Sequence, residues 1–176
     1  IVGGVDSLCL TTLYGFNSLQ LVSSELCRPW DIDRNGINIG EAAGFALLEK
    51  SSSISKGVNL IGFGESSDAY HMSRPHMEGK GARMAMEAAI TRAGLNIKDI
   101  DYINLHGSAT PSNDAAEAQG LIRTFPDGVA CSSTKGITGH LLGAAGITEA
   151  IICTLILEHD ILPGTANLEN QDPDLP

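Results

Sequence analysis

An α/β fold, with a parallel or mixed sheet covered by helices on both faces, is what this sequence predicts. Three observations carry that expectation. Beyond residue 100 the chain alternates strand-like and helix-like segments, the pattern of βαβ units. Glycine supplies 20 of 176 residues, against an average usage of about 7%, and it gathers at motifs and turns, as tight strand-to-helix corners require. The chain is 43% hydrophobic and 18% charged, enough for one domain with a sizeable core. No internal repeat or linker divides it.

The elements follow in order. IVGGVD (1–6) reads as a strand end running into a glycine corner. SLCLTTLYGFNSLQLV has the spacing of a helix or of a buried irregular stretch. RPWDIDRNGINIGE (28–41), with Pro29 and Gly36, is a polar, turn-rich loop. GEAAGFALLEK is a strand whose small residues admit a close neighbour. KSSSISKG (50–57) is a polar turn. VNLIGFGESSD (58–68) is expected as a second strand, antiparallel to the first. DAYHMSRPHMEGKG (68–81) is an excursion loop. GARMAMEAAITRAGL forms an amphipathic helix capped by Gly94. The series then runs strand (DYINLHG), loop (SATPSN), helix (DAAEAQGLIRTF), strand (GVACSST), loop (KGITG) and helix from HLLGAAGITEAI onward.

Bulk properties narrow the function. A net charge of −10 opposes nucleic acid as the main partner, because phosphate binding needs a basic footprint. The longest apolar stretch, Ile147 to Leu157, is broken by Thr148, Glu149 and Thr154, which suits a buried helix better than a membrane span. Cys9, Cys27, Cys131 and Cys153 show no CxxC pair or metal-ligand spacing. They read as reduced thiols of a cytoplasmic protein. The opening IVGGVD has no initiator Met and looks like the inside of a strand, so the chain is expected to be part of a longer protein.

Two loops leave the carboxyl ends of successive strands, where open α/β sheets build their sites. One carries His106; the other carries Lys135 and His140. A single His beside a Gly is more often a surface or packing residue, yet two on equivalent loops raise the prospect of a shared site. Cys131 admits two readings. It ends an apolar strand, where free Cys behaves as a small hydrophobe, but Lys135 and His140 are close enough in sequence to activate a thiolate.

Three long motifs bear on the choice. HGSATPSNDAAEAQG (106–120) and SSTKGITGHLLGAAGITEA (132–150) resemble the two histidine motifs of the β-ketoacyl-acyl-carrier-protein synthases, the elongating branch of the thiolase-like condensing enzymes. RPWDIDRNGINIGEAAGFALLEK (28–50) resembles that family's PFD-x-x-RDGF-x-x-GEGAG segment. VGGVDS and LPGTANLENQDPDLP extend the likeness essentially end to end. The resemblance implies a thiolase-like α/β fold, a mixed five-stranded sheet layered between helices, of which residues 1–176 are the middle-to-C-terminal region. It implies decarboxylative Claisen condensation of acyl and malonyl thioesters on acyl carrier protein, in fatty-acid or polyketide-like biosynthesis, by an acyltransferase that works as a homodimer without a redox cofactor.

The same resemblance implies roles for individual residues. His106 and His140 are the catalytic histidines and Lys135 the active-site lysine. Glu149 is the acidic partner of Lys135, and Glu117 a second acid beneath the first histidine loop. Asn104, Glu117 and Glu149 match the ligands of a structural cation in some members. Ser108 and Thr110 match the hydroxyls that hydrogen-bond the phosphopantetheine arm. The family's middle Ser is Ala109 here, a departure that bears on how the loop packs. The nucleophilic cysteine is expected upstream of residue 1, with Cys131 as core and the isolated chain inactive. Arg74, Lys80 or Arg83 is a candidate docking residue for an acidic carrier. The competing readings are a non-catalytic chain-length-factor-like subunit and, last, a Cys131/His140 hydrolase.

Overall fold

Small residues let the first two strands pair closely. Val2–Asp6 (VGGVD, β1) and Ala42–Ala46 (AAGFA, β2) form an antiparallel ladder with Gly4 opposite Gly44. The computed structural model describes residues 1–50 and 57–176. Most of the polar turn expected at 50–57 therefore lies outside the described residues. Between the strands, Leu10–Ser18 (α1) resolves the helix-or-irregular ambiguity as a helix, although it buries no residue fully. The 28–41 segment is a loop, as expected. It contributes isolated bridges, Ile39 to His140 and Asp31 to Gln171 among them.

The strand expected at 58–68 does not pair with another strand among the described residues. Its backbone lies instead on the helix Lys80–Ala93 (α2). A Cβ at Gly62 or Gly64 would run into the carbonyls of Ala89 and Ala85, so only glycine permits this approach. Side chains fix the contact. Arg92 donates to the Phe63 carbonyl at 3.0 Å, with its guanidinium 4.3 Å from the ring centroid of Phe63. Asp68 accepts from the Gly81 and His76 N–H groups at 2.7 and 2.9 Å. The approach is made by the backbone, and the apolar side chains Val58, Leu60, Ile61 and Phe63 stay exposed. Gly94 closes α2 in the left-handed conformation (φ 69°), as predicted.

The second half alternates as expected. Tyr102–Asn104 (β3) leads to Pro111–Thr124 (α3), and Ala130–Ser132 (β4) leads to Lys135–Thr138 (α4) and Ala145–His159 (α5). β3 and β4 pair in parallel, Tyr102 against Ala130 and Asn104 against Ser132, so both chains leave the ladder at the same edge. Strand pairing among the described residues is thus one antiparallel and one parallel ladder of two strands each. The expected count of five strands in one sheet is corrected accordingly, while the α/β layering stands.

Two boundaries differ from the sequence reading. KGITG is a helical turn rather than a loop, because the Thr134 and Lys135 carbonyls accept the Thr138 and Gly139 N–H groups at 3.1 and 2.9 Å. The last helix begins at Ala145 rather than His140. A tight turn, Leu142–Ala144, intervenes, with Leu142 at φ 48°.

The larger core cluster joins Trp30, Leu105, Ala118, Leu121, Phe125 and Leu175, with Met86, Ile90 and Cys131 packed against it. The expectation that Cys131 is core therefore holds. α5 lies against β2, where Gly44 leaves room for Ile147 and Ile151. It is less buried than expected. Leu142–His159 has a mean hydropathy of 1.4 with 17% of the stretch buried, apolar enough by length and composition to cross a bilayer. Of its two acids, Glu149 and Glu158, Glu149 is paired with a lysine inside the protein, the arrangement of a helix packed in a layered fold.

Candidate active site

Both strand exits converge. Leu105 N–H extends the ladder by donating to the Ser132 carbonyl at 2.9 Å. The next residue, His106, then lies across from the segment that carries His140. The two imidazole centroids are 5.0 Å apart with the rings at 77°. Residues separated by more than thirty positions are thus edge to face, close enough to share one small substrate atom.

Each ring is positioned by its backbone. His106 and Gly107 donate their N–H groups to the two oxygens of Glu117 at 2.7 and 2.8 Å, so one α3 carboxylate clamps the turn that carries the imidazole. His140 is held between strand-like neighbours, its N–H on the Asn38 carbonyl at 2.7 Å and its carbonyl accepting Gly40 N–H at 3.1 Å. The left-handed Leu142 aims its N–H at His140 Nδ1, 3.1 Å away. A ring that accepts at Nδ1 and is neutral carries its proton on Nε2. His140 therefore offers an Nε2–H donor.

Both rings are held uncharged. Burial is the largest cause, with the Lys135 ammonium second, and for His106 the neighbouring imidazole third. Together they bring His106 down to about 3 and His140 to about 4. His106 is an exposed residue, so water moderates the depth of its shift without reversing it. Desolvation moves Glu117 the other way, up to about 7, against the pull of its two N–H partners.

These shifts set opposite pH dependences. The imidazoles contribute stability that is fully present above about pH 6.5 and is lost as pH falls through their folded values. Glu117 contributes stability present below about pH 4.5 and lost as pH rises through 7. Titration of the imidazole Cε1–H signals is expected to show neither ring protonating between about pH 8 and about pH 5.5. A midpoint near 6.5 for either one removes the neutral pair.

Lys135 is 1% exposed and its ammonium is paired with Glu149. Glu149 is therefore no solvated helix face. The Lys135 N–H rests on Ser133 Oγ at 3.2 Å, tying α4 to the strand exit. Ser108 and Thr110 are buried, with their hydroxyls 3.1 Å apart. Thr110 also lines a cleft of about 370 Å³ that includes Arg74, Ser112 and Gln20. Of the candidate docking cations, Arg74 and Lys80 are exposed, whereas Arg83 lies 3.7 Å from Glu87 on its own helix. Burial raises the Cys131 thiol above its ordinary value, with Glu117 adding to the effect. That is the reverse of what a reactive thiolate needs.

The cation expected from Asn104, Glu117 and Glu149 meets an incomplete donor set. Asn104 has a buried amide with neither atom partnered, which suits an ion. Both Glu117 oxygens, however, hold backbone N–H groups, and Glu149 holds Lys135. No cluster of three His, Cys, Asp or Glu ligands occurs among the described residues. The arrangement does not close around a metal.

Sequence reasoning singled out Ala109 but missed the residues that hold it and its loop in place. Ala109 is fully buried at φ 63°, a left-handed conformation that costs a non-glycine residue about 1–2 kcal/mol. Its N–H goes to Asp114 Oδ1 at 3.2 Å, and its carbonyl accepts Gly36 N–H at 2.9 Å. Ser133 Oγ donates to the Gly107 carbonyl at 2.8 Å, and the Cys27 thiol lies 3.7 Å from the Ser108 carbonyl. The sequence signal was Asp114 itself, an acid in the first turn of a helix whose other buried positions are small or apolar.

Comparison with known proteins agrees with this geometry. The β-ketoacyl synthase C-terminal domain family matches residues 58–169. The chain is 44% identical to 3-oxoacyl-[acyl-carrier-protein] synthase 2 of Vibrio cholerae over 191 aligned positions, 99% of this chain and 46% of that protein. It is 39% identical to the mitochondrial 3-oxoacyl-[acyl-carrier-protein] synthase of Arabidopsis thaliana, over 98% of this chain and 41% of that protein. Among solved structures, a ketosynthase in complex with its chain length factor from Xenorhabdus doucetiae superposes with a TM-score of 0.90 at 43% identity. That match covers 100% of this chain and 44% of the other. The chain thus spans under half the length of these relatives. Two strand exits that bring paired imidazoles together, and a family match over most of the sequence, lead to one assignment: the chain belongs to the β-ketoacyl synthase family.

Proposed function

We propose that this chain supplies the His–His–Lys part of a site for decarboxylative Claisen condensation, with the acylated cysteine outside these 176 residues. One observation carries the reading: two neutral imidazoles, 5.0 Å apart, beside a buried ammonium. As malonyl thioester loses CO2, the electrons of the breaking C–C bond pass onto the thioester oxygen. Preorganised N–H donors stabilise that charge as it develops. The resulting carbanion attacks the acyl-cysteine carbonyl, a C–C bond forms, and the cysteine leaves as thiolate. Neutral rings serve as donors here. Lys135, committed to Glu149, sets the local field rather than attacking.

In this reading the substrates ride on the phosphopantetheine arm of an acyl carrier protein, in fatty-acid or polyketide-like synthesis. Ser108 and Thr110 face that arm, the protein acts in the cytoplasm as a homodimer, and no redox cofactor takes part. The names of the relatives support the carrier and the condensation. Likeness to a ketosynthase/chain-length-factor complex favours, as a second reading, a non-catalytic partner subunit. The retained imidazole pair and lysine argue for the active form.

The complete synthase carrying this chain, given acyl carrier and malonyl carrier, is expected to release CO2 and β-ketoacyl product in equal amounts. Absence of both overturns the reading. The 176 residues alone are expected to take no label from radioactive acyl carrier. A labelled thioester on Cys131 would place the nucleophile inside this chain and remove the proposed division of the site.

A further inference from the structure

The loop 106–110 is tied down at nearly every backbone group. Glu117 takes the His106 and Gly107 N–H groups, Ser133 and Cys27 reach the Gly107 and Ser108 carbonyls, and Gly36 reaches the Ala109 carbonyl. The tie at Ala109 N–H differs from the rest, because it holds an alanine where glycine would be at ease. That tie is Asp114 Oδ1.

Asp114 is fully buried. Its other oxygen accepts Trp30 N–H at 3.0 Å and lies 3.8 Å from Arg34 Nε. Arg34 in turn donates to Asp172 Oδ2 at 2.6 Å and to the Asp31 carbonyl at 2.8 Å. Asp31 accepts the Glu169 and Asn170 N–H groups, each at 2.9 Å. Segments 28–36, 109–114 and 169–175 are therefore knotted through one guanidinium, and the knot ends on the amide of Ala109. Buried charge is costly unless paired and hydrogen-bonded; here it is spent beside the two hydroxyls of Ser108 and Thr110.

We propose that the Arg34–Asp114 pair is a positioning device for substrate binding: it holds Ala109 left-handed, so that Ser108 and Thr110 present their hydroxyls to the arm of a carrier-borne thioester. The inference rests on the condensation reading given above and adds two residues to it. It predicts a defect in binding rather than in chemistry. An Asn at position 114 turns its NH2 toward either Ala109 N–H or Trp30 N–H, both donors, so one bond is lost along with the counter-charge of Arg34.

In the complete synthase, Asp114→Asn is expected to raise KM for malonyl carrier about tenfold, the factor one charge-assisted hydrogen bond sets, with kcat changed less than about twofold. Ala109→Gly in the same background is expected to bring KM back to within about threefold, since glycine takes φ near 60° without being held. If Asp114→Asn does not fold, Arg34→Lys, which withdraws the guanidinium fork but keeps its charge, is read in the same way. An unchanged KM, a fall in kcat alone, or no recovery with glycine overturns the proposal. A wild-type synthase without condensing activity would sink the condensation reading instead. The clamp is then judged by hydrogen exchange at the Ala109 amide, protected in the wild type and exposed in Asp114→Asn; equal exchange in the two overturns it.

Discussion

His140→Ala in the complete synthase is expected to cut CO2 release from malonyl carrier by about 10²–10³, the usual loss when one oxyanion donor is removed. Acyl transfer onto the enzyme should largely persist. The asymmetry follows from the ring's tautomer. With Nδ1 occupied by Leu142 N–H at 3.1 Å, the ring's proton is on Nε2, the donor that the proposed condensation assigns to the enolate oxygen, and alanine removes it. Acyl transfer is carried by the thiolate and does not develop this enolate. Single-turnover measurement of labelled CO2 and labelled enzyme separates the two steps. Wild-type CO2 release from the variant would remove His140 from its assigned role.

Glu149→Gln is expected to lower the unfolding free energy by about 3–5 kcal/mol, because it strands a buried ammonium without its counter-charge. Lys135→Met is expected to cost less. Glu149 has 23% side-chain exposure against 1% for Lys135, so an orphaned carboxylate can still be hydrated while an orphaned ammonium cannot. Replacing both by apolar residues should regain most of the lost stability, since a well-packed apolar pair is often equivalent to a buried ion pair. The double variant should nevertheless stay impaired in decarboxylation, because it lacks the charge that helps keep both imidazoles neutral. Denaturant unfolding of the three variants tests the order. Equal losses for the two single changes would show that burial of the lysine does not govern the pair.

Some of the fold was legible from local pattern alone. The β3–α3–β4–α5 alternation, the Gly94 cap and the loop at 28–41 follow from residue type and spacing, and the structure reproduces them. The segment 58–68 was misread as a paired strand. Gly62 and Gly64 bring its backbone onto α2 instead, while its apolar side chains stay exposed. The last helix starts five residues later than its sequence pattern predicts, because the left-handed conformation falls on Leu142 and not on the neighbouring Gly143.

By itself the sequence determined which chemical groups are present, on which strand exits they stand, and which family they resemble, since each motif is a contiguous run of residues. Tertiary structure alone decided the rest. It set the two imidazoles at 5.0 Å, buried Lys135 against Glu149, and closed a knot from Asp172 through Arg34 to Asp114. The physical reason is that hydrogen bonds and ion pairs between distant segments, and the desolvation that moves a proton's affinity, depend on distances through space that no local pattern contains.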